Sequence, residues 1–100
     1  MDNRDYLIIL YDYYGELLNE KQREYFELYY FDNLSLGEIS ENLDVSRNAV
    51  HKTIKLVMDK LLFYEDKLKV YYKSNKLLKI ANDINDINIK NSIIEILREE

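Results

Sequence analysis

The chain of 100 residues contains no proline and only two glycines, Gly15 and Gly37. Sandwiches and barrels need many turns, and turns depend heavily on these two residue types. Their scarcity therefore favours an all-α fold over any β architecture. Because 47% of the residues are apolar, a helical chain of this length can bury a core of its own.

Residues that carry metal and redox chemistry are nearly absent. There is no cysteine, which excludes disulfides, thiolate zinc sites and cysteine nucleophiles, and His51 is the single histidine. No glycine-rich phosphate loop is present, and paired carboxylates such as Asp83 and Asp86 are best interpreted as solvated surface charges. We therefore expect no enzyme activity and no cofactor.

The N-terminal sequence MDNRDYLIIL lacks the basic start and long apolar run of a signal peptide. No stretch approaches the ~20 apolar residues that a membrane-spanning helix needs. We expect a cytoplasmic protein without membrane insertion.

Apolar residues recur at helical spacing along most of the chain. The pattern predicts a first helix over about Asp5–Leu18, a second after Asn19, a short third after Ser35, and a long fourth from Ser46 to about Tyr72. YKSNK (72–76) is predicted to be a break, followed by a turn or two around residues 77–81 and a last helix over about 86–98. These elements give a helix-turn-helix domain over residues 1–72, with its helix-turn-helix unit at about 35–58, and a C-terminal helical extension over 73–100.

Three polar residues have the spacing of helix caps. Asn19 with Gln22 and Ser35 with Glu38 fit capping boxes, and Ser46 fits an N-cap. Between the third and fourth helices, Val45 is the apolar residue expected to pack into the angle of a helix-turn-helix. Asp44 occupies the usual glycine position of the turn and is expected to be left-handed, which aspartate tolerates better than most residues.

Charge is distributed unevenly along the chain. The net charge is −5, but residues 1–44 carry −8, residues 45–79 carry +6 and residues 80–100 carry −3. Local charge decides whether a surface attracts phosphate. The basic block is therefore compatible with nucleic-acid binding, although KLKVYYKSNKLLK alone is better explained by a solvated helix surface.

One side of the predicted fourth helix has the composition of a nucleic-acid contact. At 100° per residue, Val50, Ile54, Val57 and Leu61 lie within an arc of about 60° that would face the core. The candidate binding residues lie on the opposite side or at the helix start: Ser46, Arg47, Asn48, His51, Lys52 and Lys55. No acidic residue lies between Val45 and Met58. Arg47 and Asn48 suit base edges, and Lys52 and Lys55 suit phosphates.

The segment LLNEKQREYFELYYFDNLSLGEISENLDVSRNAVHKTIK resembles region 4 of bacterial sigma factors, which reads a promoter element. Residues 1–70 resemble the YlxM family of small bacterial proteins more closely, through YFDNLSLGEI, DVSRNAV and the Tyr-rich first helix. The resemblance implies an all-α, sigma-factor region 4-like helix-turn-helix bundle with an extended fourth helix and a C-terminal helical segment. It also implies DNA binding and a role in the signal recognition particle pathway.

Two hypotheses about partners follow. The first is a helix-turn-helix regulator that binds DNA, or RNA of the targeting particle. The second is a protein-interaction module that regulates a targeting component without touching nucleic acid. The surplus among the ten tyrosines indicates an interface with a partner or a second copy. Leu62, Phe63 and Tyr64 must be covered by the C-terminal segment or by another subunit, and we expect a homodimer. Tyr11, Tyr14, Tyr25 and Tyr29 are expected in the core. We do not expect the core to hold all four of Tyr13, Tyr30, Tyr71 and Tyr72 as well.

Overall fold

A computed structural model describes residues 3–99 of the chain, and these residues form six α-helices and one short 3-10 helix. The α-helices are α1 (Arg4–Tyr14), α2 (Glu20–Tyr30), α3 (Leu36–Leu43), α4 (Arg47–Leu68), α5 (Val70–Asn82) and α6 (Ile87–Arg98). The 3-10 helix (Gly15–Leu17) follows α1 directly. The predicted all-α helix-turn-helix bundle is confirmed.

The helices form two compact units, Met1–Lys67 and Leu68–Glu100. The predicted domain boundary between residues 72 and 73 stays a prediction. The first unit contains all the large side chains that are almost completely buried, and they come from α1, α2, α3 and α4: Leu7, Leu10, Phe26, Ile39, Val50, Val57 and Leu61. One continuous core therefore holds the short helix α3 and the start of α4 in place.

Tyrosine rings supply much of this core. Tyr11 stacks on Phe26 with ring centroids 4.2 Å apart, and its hydroxyl donates to the Glu27 carboxylate. Burial, and secondly the hydrogen bond to Glu27, raise the pKa of the Tyr11 hydroxyl. Tyr14 donates to Oε1 of the buried Glu65 at 2.6 Å. A buried carboxylate is expensive unless it is hydrogen-bonded, so this bond ties α1 to α4.

The predicted division of tyrosines between core and surface is partly wrong. Tyr29, expected in the core, is only half-buried, whereas Tyr30 is buried. The Tyr30 ring packs on Phe26 with centroids 4.5 Å apart and lies under the Arg4 guanidinium at 5.2 Å. Neighbouring tyrosines differ by about 100° around a helix, and these tertiary contacts select which of the two points inward.

The predicted caps of α2, α3 and α4 are confirmed. Asn19 Oδ1 accepts from the Gln22 N–H at 2.8 Å, and the reciprocal bond completes the capping box. Ser35 and Glu38 form the second box. There the hydrogen bond from the Ser35 N–H, at 3.0 Å, holds the pKa of the Glu38 carboxyl below its usual range. Ser46 Oγ accepts from the Ala49 N–H at 3.1 Å.

Two predicted helix ends are wrong. The first helix ends at Tyr14 rather than Leu18, because the chain tightens into the 3-10 helix, which leaves Leu17 exposed and Leu18 buried. The fourth helix ends at Leu68 rather than near Tyr72, because Lys69 adopts a left-handed conformation with φ 54°. Each change shifts the positions that face the core.

The predicted break at YKSNK (72–76) is also wrong. Residues 72–76 lie inside α5, a continuous helix of 13 residues that includes the predicted turns around residues 77–81. Serine and asparagine cost a helix only about 0.5 kcal/mol each, and Ser74 and Asn75 are half-buried in α5. Packing therefore outweighs their weak helix propensity. The last helix was predicted within one residue, and the Asp86 carboxylate caps it.

Asp44 is left-handed as predicted, with φ 54° and ψ 50°. We expect Asp44→Ala to lower the free energy of unfolding by about 1 kcal/mol, because alanine lacks the local hydrogen bonding that lets aspartate tolerate this conformation. Asp44→Gly should be neutral or stabilising, because glycine adopts positive φ without steric cost. Urea denaturation of both variants measures the difference. A stability of Asp44→Ala equal to that of Asp44→Gly would contradict a strained turn.

Candidate nucleic-acid interface

The helix-turn-helix consists of α3, the turn Asp44–Ser46 and the first turns of α4. Ile39 and Val50, one from each helix, are completely buried. Ser40 holds the turn from the α3 side, because its hydroxyl donates to the Val45 carbonyl at 2.5 Å and its carbonyl accepts from the Val45 N–H at 3.1 Å. The path of the chain into α4 is therefore fixed by hydrogen bonds as well as by packing.

The sequence interpretation missed Ser40. It assigned the turn to Asp44, Val45 and Ser46 and did not consider that a side chain of α3 could bond to the turn. The signal was present, because a serine near the C-terminal end of a helix can use its hydroxyl locally on nearby backbone groups. Spacing alone does not tell which serines do so.

All six predicted binding residues are exposed, and all belong to the cap or to the first three turns of α4: Ser46, Arg47, Asn48, His51, Lys52 and Lys55. The structure therefore brings them onto one stretch of one helix. Val50, Ile54, Val57 and Leu61, the residues predicted to face the core, are all buried. The separation of α4 into a core side and an exposed side is as the sequence predicts.

The six residues differ in how far they are already engaged. Ser46 is occupied by the cap. Lys55 pairs with Asp59 one helical turn later, with Nζ and Oδ1 2.7 Å apart, and both side chains are more than half exposed. An exposed pair of this kind is worth only about 0.3–0.5 kcal/mol, so a phosphate can replace Asp59. Asn48, His51 and Lys52 have no hydrogen bond or ion pair with the other residues that the structure describes.

Arg47 lies across the start of α3. A methyl group placed on Gly37 would come within 2.4 Å of Arg47 Nη2 and 3.1 Å of Cζ, so the guanidinium rests directly on the backbone at Gly37. The sequence interpretation did not connect these residues. A glycine in the first turn of a short helix, where alanine would be about 1 kcal/mol more favourable, is the signal that could have indicated a close neighbour.

The electrostatics of this end of α4 favour an anion. The first turn of α4 contains no acidic residue, and unpaired backbone N–H groups give a helix N-terminus partial positive charge. Arg47, Lys52 and Lys55 add three cations before Asp59, the first acidic residue of the helix. The α4 surface therefore presents hydrogen-bond donors and positive charge in a protein whose net charge is −5.

Comparison with known proteins identifies the family. The model of the family described as "Putative helix-turn-helix protein, YlxM / p13 like" matches residues 1–100. The chain belongs to this family. The resemblance to YlxM proteins that the sequence indicated is therefore confirmed, and the helix-turn-helix of α3 and α4 is the feature for which the family is described.

Several relatives in the family cover most of the chain. A UPF0122 protein of Caldanaerobacter subterraneus subsp. tengcongensis is 47% identical over 81 residues, which are 81% of this chain and 69% of the relative. A UPF0122 protein of Ureaplasma urealyticum serovar 10 is 42% identical over 95 residues, 95% of this chain and 96% of the relative. A UPF0122 protein of Halalkalibacterium halodurans is 47% identical over 77 residues, which are 77% of this chain and 71% of the relative.

The helix-turn-helix description of the family favours nucleic-acid binding and a non-enzymatic regulatory role. Among residues 3–99, no group of three or more His, Asp and Glu side chains is placed to hold a metal ion. None of the helices described above is both long enough and apolar enough to cross a bilayer.

Proposed function

We propose that this protein is a helix-turn-helix regulator that binds nucleic acid through the exposed side of the first three turns of α4. The observation that carries the proposal is the exposure of Asn48, His51 and Lys52 and their lack of partners among the described residues. They lie on a helix end free of acidic residues. A recognition helix presents residues near its N-terminal end to base edges, and these three residues occupy that position.

Each residue has a role that follows from its chemistry. Arg47 can leave the α3 backbone and bond guanine O6 and N7, and Asn48 can bond adenine N6 and N7. Lys52 and Lys55 neutralise phosphates, which sets affinity but not sequence preference. Ser46 holds the helix start in position, and the two ring nitrogens of His51 allow a base-edge or phosphate contact.

The family membership supports a more specific proposal. As the resemblance implies, the protein acts in or regulates the signal recognition particle targeting pathway. Its helix-turn-helix, which resembles sigma-factor region 4, binds DNA or the RNA of the particle. We also infer a cytoplasmic homodimer, which would offer two copies of α4 to two half-sites. The exposed apolar side chains Leu56, Leu62 and Phe63 of α4 support a protein contact on this helix.

A mobility shift on a mixed DNA and RNA pool tests nucleic-acid binding. The wild-type protein is expected to bind, and its affinity should fall steeply as salt rises, because phosphate neutralisation releases counterions. Lys52→Ala with Lys55→Ala should lower the salt slope by about 1.8 on duplex DNA, since each contact contributes about 0.9. An unchanged affinity of this double variant for every probe would contradict the proposed role of α4.

The second candidate is a protein-interaction module that uses the same helix-turn-helix without touching nucleic acid. The exposed apolar residues of α4 favour it. A pull-down with the signal recognition particle GTPase, with and without its RNA, separates the two candidates. Capture of the GTPase that needs no RNA, together with no salt-dependent binding in the mobility shift, would support this module and contradict the regulator.

A further inference from the structure

A second cationic surface lies on α5, outside the helix-turn-helix. The helix and its N-cap carry Lys69, Lys73, Lys76 and Lys79, and no acidic residue lies between Asp66 and Asp83. All four lysines are exposed, and none is ion-paired with another described residue. This segment is more strongly basic than the start of α4.

The continuity of α5 places these lysines together. A break at residues 72–76 would have divided them between two elements, but α5 runs unbroken over Val70–Asn82. At 100° per residue, Lys73, Lys76 and Lys79 lie within an arc of about 120°. At 1.5 Å per residue they form a row about 9 Å long.

Local helix stability does not explain the row. Cations are favourable at the C-terminal end of a helix and unfavourable at its N-terminal end. Lys79 is in the favourable last turn, but Lys69 and Lys73 lie at the start of α5, where there is no acidic residue. By contrast, α6 has the usual arrangement, with Asp86 at its start and Arg98 in its last turn.

The side chain of Lys76 is held at the surface. Its Nζ lies 4.9 Å from the centroid of the Tyr72 ring. The hydrogen bond with Lys76 is the main reason that the pKa of the Tyr72 hydroxyl lies below its usual value, and the charges of Lys76 and Lys69 lower it further. The exposed side of α5 therefore combines ordered positive charge with a half-exposed aromatic ring.

The geometry points to a second nucleic-acid contact in which Lys73, Lys76 and Lys79 neutralise phosphates of the backbone. This inference rests on the proposed function and adds a contact on α5 to the one proposed for α4. Each strand of a duplex carries one phosphate per about 3.4 Å of axis, so a row of about 9 Å spans two to three phosphates of one strand. Such contacts position the protein on nucleic acid and carry no sequence preference.

An anionic membrane surface is the competing ligand, and α5 fits it poorly. A helix that lies in a membrane interface must offer an apolar side opposite its cationic side. Opposite the lysine row, Ala81 is completely buried and Ser74 and Leu78 are half-buried, and α5 packs against α6. The side directly opposite the row is therefore covered. Leu77 and Ile80 remain exposed on α5, and the vesicle binding in the test below measures whether they enter a membrane.

The test compares salt slopes for random-sequence 30-base-pair DNA and for a pool of structured RNA. Lys73→Gln with Lys76→Gln and Lys79→Gln is expected to lower the slope on duplex DNA by about 2.7. Between 50 and 200 mM salt, wild type should then lose roughly 40-fold more affinity than the variant. The corresponding triple arginine variant should keep the wild-type slope, and a flattened slope on the RNA pool alone would identify RNA as the ligand.

A matched single substitution keeps the test valid if the triple variant folds poorly, which circular dichroism would detect. Lys21, like Lys76, is an exposed lysine over a tyrosine ring, with Nζ 5.7 Å from the Tyr25 centroid, but Glu20 and Glu24 surround it on α2. Lys76→Gln should lower the slope by about 0.9, whereas Lys21→Gln should leave it unchanged.

The outcomes separate this inference from the proposed function. If wild type binds neither pool, both fail. If Lys52→Ala with Lys55→Ala flattens the slope and the α5 variant does not on either pool, only the α5 contact is overturned. The α5 contact alone is also overturned if the α5 lysines are needed for binding to phosphatidylglycerol vesicles but not for binding to nucleic acid.

Discussion

Replacing Phe26 with alanine is expected to lower the free energy of unfolding by about 3–5 kcal/mol. The Phe26 side chain is completely buried. Its ring stacks on Tyr11 with centroids 4.2 Å apart, packs on Tyr30 at 4.5 Å and meets the edge of Phe31 at 5.9 Å. Alanine would remove all three aromatic contacts and leave a cavity where α1 and α2 meet. Since small domains are stable by only about 5–15 kcal/mol, this loss is a large fraction of the total free energy of unfolding.

Urea denaturation followed by circular dichroism measures the loss, and Phe63→Ala is the matched control. Phe63 has the same side chain but is 57% exposed on α4, so its removal should cost less than about 1 kcal/mol. Equal destabilisation by the two substitutions would contradict the assignment of the core. A selective effect of Phe63→Ala on partner capture, without loss of stability, would instead support a contact on the outer side of α4.

Local interactions made part of this fold predictable. Capping boxes depend on residues three apart, so Asn19 with Gln22 and Ser35 with Glu38 could be identified without knowledge of the packing. The left-handed Asp44 follows from the same kind of argument, because only a few residues tolerate positive φ. The core side of α4 was predictable for a related reason, since its apolar residues keep a period of about 3.6 over several turns.

Tertiary packing decided what the sequence did not predict. Lys69 is left-handed although lysine has no special tolerance for that conformation, and nothing local marks it in preference to Ser74 or Asn75. The bond between Tyr14 and Glu65 joins residues that are 51 positions apart, so no local pattern indicates that Glu65 is buried. Spacing can place a residue on one side of a helix, but it cannot say which side a distant element covers.

The candidate interface likewise has features that the sequence predicted and features that only the tertiary structure shows. Its six residues were predicted as one exposed group because they belong to a single helix whose opposite side is clearly apolar. The contact of Arg47 with Gly37 and the bonds of Ser40 to Val45 cross between elements, and they determine how the group is held. Sequence therefore predicted that these residues are exposed together, and the structure supplied their mutual positions and their present partners.

Asn48→Ala is expected to lower sequence preference without changing the salt slope. Asn48 lies in the first turn of α4, is exposed and is unpaired among the described residues, so its amide is available for a bidentate bond to adenine. Loss of one such bond costs about 1–3 kcal/mol of discrimination, which corresponds to roughly a 5- to 150-fold fall in the affinity ratio between a selected site and random duplex.

The measurement is a competition between the duplex selected from a random library and the unselected pool, repeated at several salt concentrations. Lys52→Ala provides the contrast, because loss of a phosphate contact should weaken binding to both duplexes equally and lower the slope by about 0.9. Asn42→Ala, at an exposed position of α3, controls for removal of a surface amide and should change neither quantity. If Asn48→Ala weakens binding to both duplexes equally and keeps the preference, Asn48 contacts the backbone, and base reading belongs to Arg47 or His51.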